Sequence, residues 1–204
     1  MNSKMQYSRT LVKMEEFEYL LNGKLNGFQI NRIADAYQFA DQLYDTSKIN
    51  EEIHTFFHTT RVCKILINEA GIYDPDLLIA SLLHHILDSS DQIAMEVIEY
   101  NFESKVKQIL NNLSAFRSIA LIDNNDIDLK DYIKEEFLEE VLILYLAGTL
   151  DHFRCMNYDA ELKNLKYASD FFRKAYKKIK RFVNTDKAKF LINEIKEENN
   201  KILD

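Results

Sequence analysis

Apolar residues recur every three or four positions along most of the chain, which is the spacing of one face of an α-helix. The pattern predicts helices over residues 11–21, 30–44, 50–69, 76–87, 90–102, 106–113, 131–156, 160–182 and 186–201, with a polar loop over 117–130. No stretch alternates apolar and polar residues in the manner of a half-exposed strand. Four Gly and one Pro are very few, and their scarcity favours long helices. We therefore expect an all-α bundle that forms a single domain over residues 1–204.

The helix predicted after Asp74 has the clearest start and the most apolar sequence. Asp74 can cap the first turn, and Pro75 occupies the first helical position, where its missing amide proton loses no hydrogen bond. The helix is apolar on nearly all sides, so it is predicted to be central and buried. It nevertheless ends in two adjacent histidines, His84 and His85. A buried apolar helix with a polar end indicates a functional site.

Charge and cysteine content exclude several functions. The formal net charge of −7 argues against binding of duplex nucleic acid, which requires a basic surface, but it allows one small anionic ligand in a local pocket. Cys63 and Cys155 lie in apolar helical patterns without CxxC spacing, so we expect reduced core residues of a cytoplasmic protein. No apolar run approaches the roughly 20 residues of a membrane span, so no membrane association is expected.

The five histidines fall into three segments, which are His54 and His58, His84 and His85, and His152. Residues 58–85 read HTTRVCKILINEAGIYDPDLLIASLLHH, residues 86–114 read ILDSSDQIAMEVIEYNFESKVKQILNNLS, and residues 146–154 read LAGTLDHFR. These stretches resemble the HD-type hydrolase domain of RelA/SpoT proteins and its small stand-alone relatives, most strongly over residues 33–154. The resemblance implies an HD-type helical bundle that releases the 3′-pyrophosphate of a guanosine alarmone, (p)ppGpp, with the help of a divalent ion, usually Mn²⁺.

Carried over position by position, the resemblance implies metal ligands at His58 and His84. His85 stands where the family has a ligand Asp, and Gly148 stands where it has the second ligand Asp. Asp88 replaces the Glu of an acidic pair that positions the attacking water, and it is therefore the candidate catalytic residue. The Asp of that pair is a serine here.

These departures change the metal chemistry that we expect. A site with three histidines and fewer carboxylates suits Zn²⁺ or another late transition metal better than Mn²⁺. Asp151 lies one helical turn from Gly148 and shares its face, so Asp151 is a candidate fourth ligand, whereas His152 is expected to point away. The alternative interpretation is that His84 and His85 only end the helix, because protonated imidazoles interact favourably with the negative end of the helix dipole.

The sequence leaves three functions open. The chain is a metal-dependent hydrolase of a guanosine alarmone or another phosphorylated nucleotide, a catalytically inactive nucleotide-binding module that uses the same pocket, or a helical protein-interaction domain that has kept only the fold. The basic run over residues 173–181 is predicted to form an exposed helix face, and a residual phosphate-binding patch is the alternative because several of its residues lie one turn apart. Neither the nucleotide nor the oligomeric state follows from the sequence.

Overall fold

The structure, a computed structural model, describes residues 7–44, 54–86, 95–120, 122, 128–158 and 165–203. Within these ranges the chain forms α-helices and short 3₁₀ segments and no β-strand, which confirms the predicted all-α bundle. The helices are α1 (Met14–Leu21), α2 (Gly27–Tyr44), α3 (Thr55–Asn68), α4 (Pro75–Leu83), α5 (Met95–Ala120), α6 (Leu138–Tyr158), α7 (Leu165–Ile179) and α8 (Asp186–Leu203).

Helix α4 lies at the centre, as its apolar sequence predicted. It packs against α2, α3 and α5, and every residue from Leu77 to Leu83 is buried. The Asp74 carboxylate accepts hydrogen bonds from the amides of Asp76 and Leu77 at 2.8 and 3.2 Å, which confirms the predicted cap. Helix α4 ends at Leu83 rather than at 87, so His84 and His85 follow its last turn.

Helix α6 forms the second axis of the core and packs against α3 and α8. It begins at Leu138, later than the predicted start at 131, because 3₁₀ turns at Leu129–Asp131 and Glu135–Phe137 precede it. Cys63 and Cys155 are buried and form no disulfide, in agreement with the sequence-based expectation. None of the described helices combines the length and the apolar character needed to cross a membrane.

Helix α2 starts earlier than predicted because its N-terminus carries a capping box. The side chain of Asn26 accepts a hydrogen bond from the amide of Gln29, and the Gln29 side chain accepts one from the amide of Asn26, both at 3.0 Å. These reciprocal bonds satisfy two amides that the first turn leaves without helical partners. The Asn26-Gly27 pair therefore opens α2 and is not only a turn after α1.

Helix α5 joins two helices that the sequence predicted as separate. A kink at Glu103, whose φ is 73°, marks the expected break. The helix also continues to Ala120 into the predicted polar loop, because Ile119 and Ala120 are buried in the core. Lys178 of α7, predicted to lie on an exposed face, is instead buried and donates hydrogen bonds to carbonyls at the end of α5, including that of Ile119 at 2.8 Å.

Candidate metal centre

Four of the five histidines meet where α3, the end of α4 and α6 come together. His58 of α3 is fully buried, and its ring centre lies 5.2 Å from those of both His84 and His85. The ring of His152, on α6, stacks on His58 with centres 4.5 Å apart and planes 7° apart. The three ligands expected from the sequence, His58, His84 and His85, are therefore brought together by the fold.

The hydrogen bonds of two of these rings fix which nitrogen carries the proton. Nδ1 of His58 lies 2.7 Å from a carboxylate oxygen of Asp151, and Nδ1 of His84 lies 2.6 Å from the carbonyl oxygen of Ser81. Both oxygens only accept, so both Nδ1 atoms donate. In the neutral rings the proton is thus on Nδ1, and each Nε2 presents a lone pair.

The protein environment keeps these rings neutral. Burial lowers the pKa of His58, although the hydrogen bond to Asp151 opposes this effect. Burial lowers the pKa values of His84 and His85 well below their ordinary range, and the positive charge of Arg117 lowers both further. Burial also lowers the pKa of His152, to about 3. At neutral pH the cluster therefore holds uncharged imidazoles.

The lone pairs of His58 and His84 converge on the same region. Their Nε2 atoms are 3.3 Å apart, yet neither carries a proton to share when both rings are neutral. Two nitrogens bound to one tetrahedral Zn²⁺ at its usual bond length lie about 3.3 Å apart. Ligand atoms of His58, His84 and His85 all lie within 4.8 Å of one another. The three residues therefore fit a metal ion, whose charge would relieve the repulsion between the lone pairs.

Asp151 is not brought into this group of ligand atoms. Its carboxylate lies on the Nδ1 side of His58 and accepts hydrogen bonds from Arg61 through Nε and Nη2, both at 2.9 Å, and from the Tyr7 hydroxyl at 3.0 Å. Burial alone would raise the pKa of Asp151, but the Arg61 charge and the bond from His58 hold that pKa well below its usual range. The ionised carboxylate thus contacts the site through His58 and fixes the orientation of its ring.

Arg61 and Tyr7 are site residues that the sequence analysis did not identify. Arg61 is 3% exposed and also donates to the backbone carbonyls of Ser8 and Thr10, at 2.8 and 3.2 Å. The N-terminal segment is thereby tied to α3 beside His58. The i, i+3 spacing of His58 and Arg61 could have indicated a shared helix face. No sequence pattern connects Tyr7 with Asp151, which is 144 positions away.

The remaining predicted positions differ in how they are placed. Asp88, the candidate catalytic residue, lies outside the described residues. Gly148 lies inside α6, and a Cβ added there would have the Nε2 atom of His84 at 3.9 Å as its one neighbour within 4 Å among the described residues. His152, expected to point away, instead stacks on His58, and its buried Nε2 has no hydrogen-bond partner in the described part of the chain.

Comparisons with known proteins bear on the fold. No protein-family model matches the sequence, and no curated protein matches it either. Among solved structures, the chain is similar to a metazoan ortholog of SpoT that hydrolyzes ppGpp and plays a role in starvation responses. The identity is 20%, the TM-score is 0.54, and the match covers 81% of this chain and 94% of that one. The chain thus shares the all-α fold of that SpoT ortholog.

Proposed function

We propose that this chain is a metal-dependent phosphohydrolase that acts on a phosphorylated guanosine nucleotide, with ppGpp as the first candidate. The observation that carries the proposal is the convergence of two buried, unprotonated Nε2 atoms, of His58 and His84, at a 3.3 Å separation. Converging lone pairs without a proton between them are unfavourable unless a cation binds them. The fold shared with a SpoT ortholog that hydrolyzes ppGpp supports the choice of nucleotide.

His58, His84 and His85 would hold the ion. Their all-imidazole donor set favours Zn²⁺ or another late transition metal over Mn²⁺, which prefers more oxygen ligands. A bound ion would supply Lewis-acid polarisation of a phosphoryl oxygen. Asp88 is assigned the orientation of the attacking water by family resemblance, and this role stays a prediction.

Asp151 and Arg61 are positioning residues in this proposal. Asp151 keeps the His58 proton on Nδ1, and Arg61 keeps the Asp151 carboxylate ionised and in place. Ser81 does the same for His84 through its backbone carbonyl. Both Nε2 atoms are consequently ready to bind without a change of tautomer, which lowers the cost of assembling the site.

A second candidate function is nucleotide binding without turnover. It is favoured by the donor set, because no carboxylate of the described residues joins the histidine ligand atoms and Asp151 is already bound to His58 and Arg61. A dication without carboxylate ligands binds phosphate strongly, and tight product binding slows turnover. In this reading the pocket senses the nucleotide and does not cleave it.

Metal content is the first test. We expect about one equivalent of metal in the protein after incubation with zinc and removal of the excess, measured by plasma mass spectrometry. His84→Ala should lose the metal, because it removes one of the two converging Nε2 atoms. His54→Ala is the matched control, since His54 precedes α3 and its ring stacks on Phe57 at 4.6 Å. Equal loss in both variants would contradict the assigned ligands.

Nucleotide turnover is the second test. The metal-loaded protein is incubated with ppGpp, and the products are separated by anion exchange. Release of pyrophosphate that is lost in His84→Ala and kept in His54→Ala is the expected result. Saturable binding of ppGpp by calorimetry without any product supports the second candidate. If the protein neither binds ppGpp nor releases a product, the third function, a helical protein-interaction domain that has kept only the fold, is supported.

A further inference from the structure

Positive charge is concentrated in one short segment of the chain. Residues 173–189 contain eight of the 26 Lys and Arg residues but one of the 33 Asp and Glu residues. Because the whole chain has a formal net charge of −7, the residues outside this segment carry a large excess of negative charge. A surface whose charge opposes that of the rest of the protein can attract a ligand of the opposite charge.

The structure arranges the first part of this segment as a basic face on α7. The helix buries Phe172, Ala175 and Ile179, together with Lys178, whose ammonium group donates to carbonyls at the end of α5. The exposed residues from 173 to 181 are all basic, and they are Arg173, Lys174, Lys177, Lys180 and Arg181, which we call the basic face. Helical geometry places the first four within about 120° of the circumference, and the five extend over about 12 Å.

Lys177 lies in the middle of the basic face and has like charges on both sides. Arg173 and Lys174 precede it by one helical turn, and Lys180 follows it by one turn. Like charges at these spacings destabilise a helix, and among the described residues no acidic side chain forms an ion pair with Lys177 or Lys180. A helix that keeps such repulsion at its exposed face has a local conflict of the kind found at functional sites.

The shape and the chemistry of the basic face favour a single strand of nucleic acid. Its charges follow one line along the helix, which suits a chain of phosphates better than one compact anion. The Arg181 side chain is 53% exposed, and its guanidinium lies over the Phe182 ring at 4.8 Å. A base can stack on a guanidinium plane that is held in this way, and stacking distinguishes a nucleic acid from an acidic peptide.

Two other polyanions fit the same face less well. A duplex carries charge on a second strand, which the acidic remainder of the protein would repel. A lipid surface binds an amphipathic helix through apolar side chains that enter it. The basic face has no exposed apolar residue, and the apolar side of α7 is buried in the bundle. These observations favour a single strand over both.

We propose that the basic face of α7 binds single-stranded nucleic acid, with phosphates along the line from Arg173 to Arg181 and a base stacked on the Arg181 guanidinium. This site goes beyond the proposed function and does not depend on it, because the three histidine ligands lie on or next to α3 and α4. Each phosphate that pairs with a cation releases condensed counterions, so the affinity should fall as salt is added.

The test is a titration of a fluorescently labelled oligouridine with the full chain, followed by anisotropy at several KCl concentrations. Five phosphate contacts predict a slope of about −3.5 in a plot of log affinity against log salt. Lys177→Gln/Lys180→Gln should reduce the slope to about −2.1 and weaken binding about 25-fold at about 0.1 M salt. Lys13→Gln/Lys24→Gln changes the net charge equally at exposed positions outside α7 and should leave both values unchanged.

Arg181→Lys tests the stacked base separately. It keeps the charge but removes the planar group, so the salt slope should stay the same while the affinity falls about fivefold. An unchanged affinity would overturn the preference for a nucleic acid over another polyanion. Urea unfolding provides the folding control, because Lys177→Gln/Lys180→Gln removes a repulsive pair and should be no less stable than the unaltered protein.

The remaining outcomes decide against the proposal or separate it from the metal site. No saturable binding at low salt, or equal losses in the two double variants, would overturn it. Tighter binding to a duplex, or to phosphatidylserine vesicles in a sedimentation assay, would assign the face to that partner instead. His84→Ala should lose metal and keep its affinity for the oligouridine. Loss of oligouridine binding in His84→Ala would place the strand at the histidines and not on α7.

Discussion

Helix α6 contributes to two polar clusters with opposite chemistry, of which the first is half-buried and the second is buried. In the first, the guanidinium of Arg154 binds both carboxylate oxygens of Glu69, at 2.6 and 2.8 Å, and one of Glu194 at 3.3 Å. The buried carboxylate of Glu198 accepts from Asn157 at 2.6 Å and from Lys201 at 2.9 Å. Each acceptor named here faces a donor. We call these residues the arginine cluster.

The second group is the histidine cluster, formed by His58, His84, His85 and His152. On the outer side of this cluster, where the Nδ1 atom of His58 lies, Asp151 accepts hydrogen bonds from His58 and Arg61, so these polar groups are paired as well. On its inner side, however, the lone pairs of His58 and His84 face each other at 3.3 Å. The arginine cluster is satisfied by its own residues, whereas the proposed cation would satisfy the histidine cluster. When the donors and acceptors of a polar cluster pair with one another, the cluster has a structural role. When they do not, the cluster is a candidate ligand-binding site.

The largest expected effect comes from breaking the outer side of the histidine cluster. Asp151→Ala should lower the free energy of unfolding by about 3–5 kcal/mol, because it leaves Arg61 buried without a counter-ion. Arg154→Ala should cost less, about 1–3 kcal/mol, since Glu69 and Glu194 are 26% and 28% exposed and water can solvate them. Urea unfolding measures both. Equal losses would contradict the difference in burial between the two clusters.

The second effect is a pH dependence that belongs to the histidine cluster. In the metal-free folded protein, burial holds the pKa values of His84, His85 and His152 well below the unfolded value, with that of His152 at about 3. Below pH 6.5 the unfolded chain therefore binds protons that the folded protein does not. Stability should fall as pH falls from 7 to 5, with a slope that approaches about 1.4 kcal/mol per pH unit for each such histidine at the lower end of this range.

Denaturant unfolding at several pH values, with a chelator present, measures this slope. His152→Phe keeps a ring against His58 but removes one titrating group, so near pH 5 its slope should be shallower by about 1.4 kcal/mol per pH unit. A wild-type curve that is flat between pH 7 and 5 would mean that water solvates the imidazoles and that the cluster is not closed.

The smallest effect is expected at the edge of the arginine cluster. Lys201 is 55% exposed and pairs with Glu198, which keeps its hydrogen bond from Asn157 when Lys201 is removed. Lys201→Ala should change the free energy of unfolding by less than about 1 kcal/mol, as exposed ion pairs do. Thermal unfolding measures it. A loss as large as that of Arg154→Ala would show that the cluster depends on this ion pair as much as on its centre.

The helices and part of the site were predictable from local pattern. Apolar spacing and the Asp74-Pro75 start predicted the central α4, and the resemblance predicted that His58, His84 and His85 would meet. The predicted helix bounds were wrong where one sequence suits two structures. Asn26-Gly27 was predicted as a turn, but the Asn26 side chain caps the start of α2. Lys178 was predicted to be exposed because helical spacing shows which residues share a face, but not that the end of α5 packs against that face.

The sequence by itself determined the all-α fold class and the burial of α4, because these depend on the pattern of residues a few positions apart. It also identified the three candidate histidine ligands, His58, His84 and His85. Only the tertiary structure decided that Asp151 binds behind His58, that Tyr7 and Arg61 hold it, and that His152 stacks within the cluster. These contacts join residues 90 to 144 positions apart. Helical periodicity fixes which residues share a face, but the packing of α3 against α6 fixes which atoms meet across it.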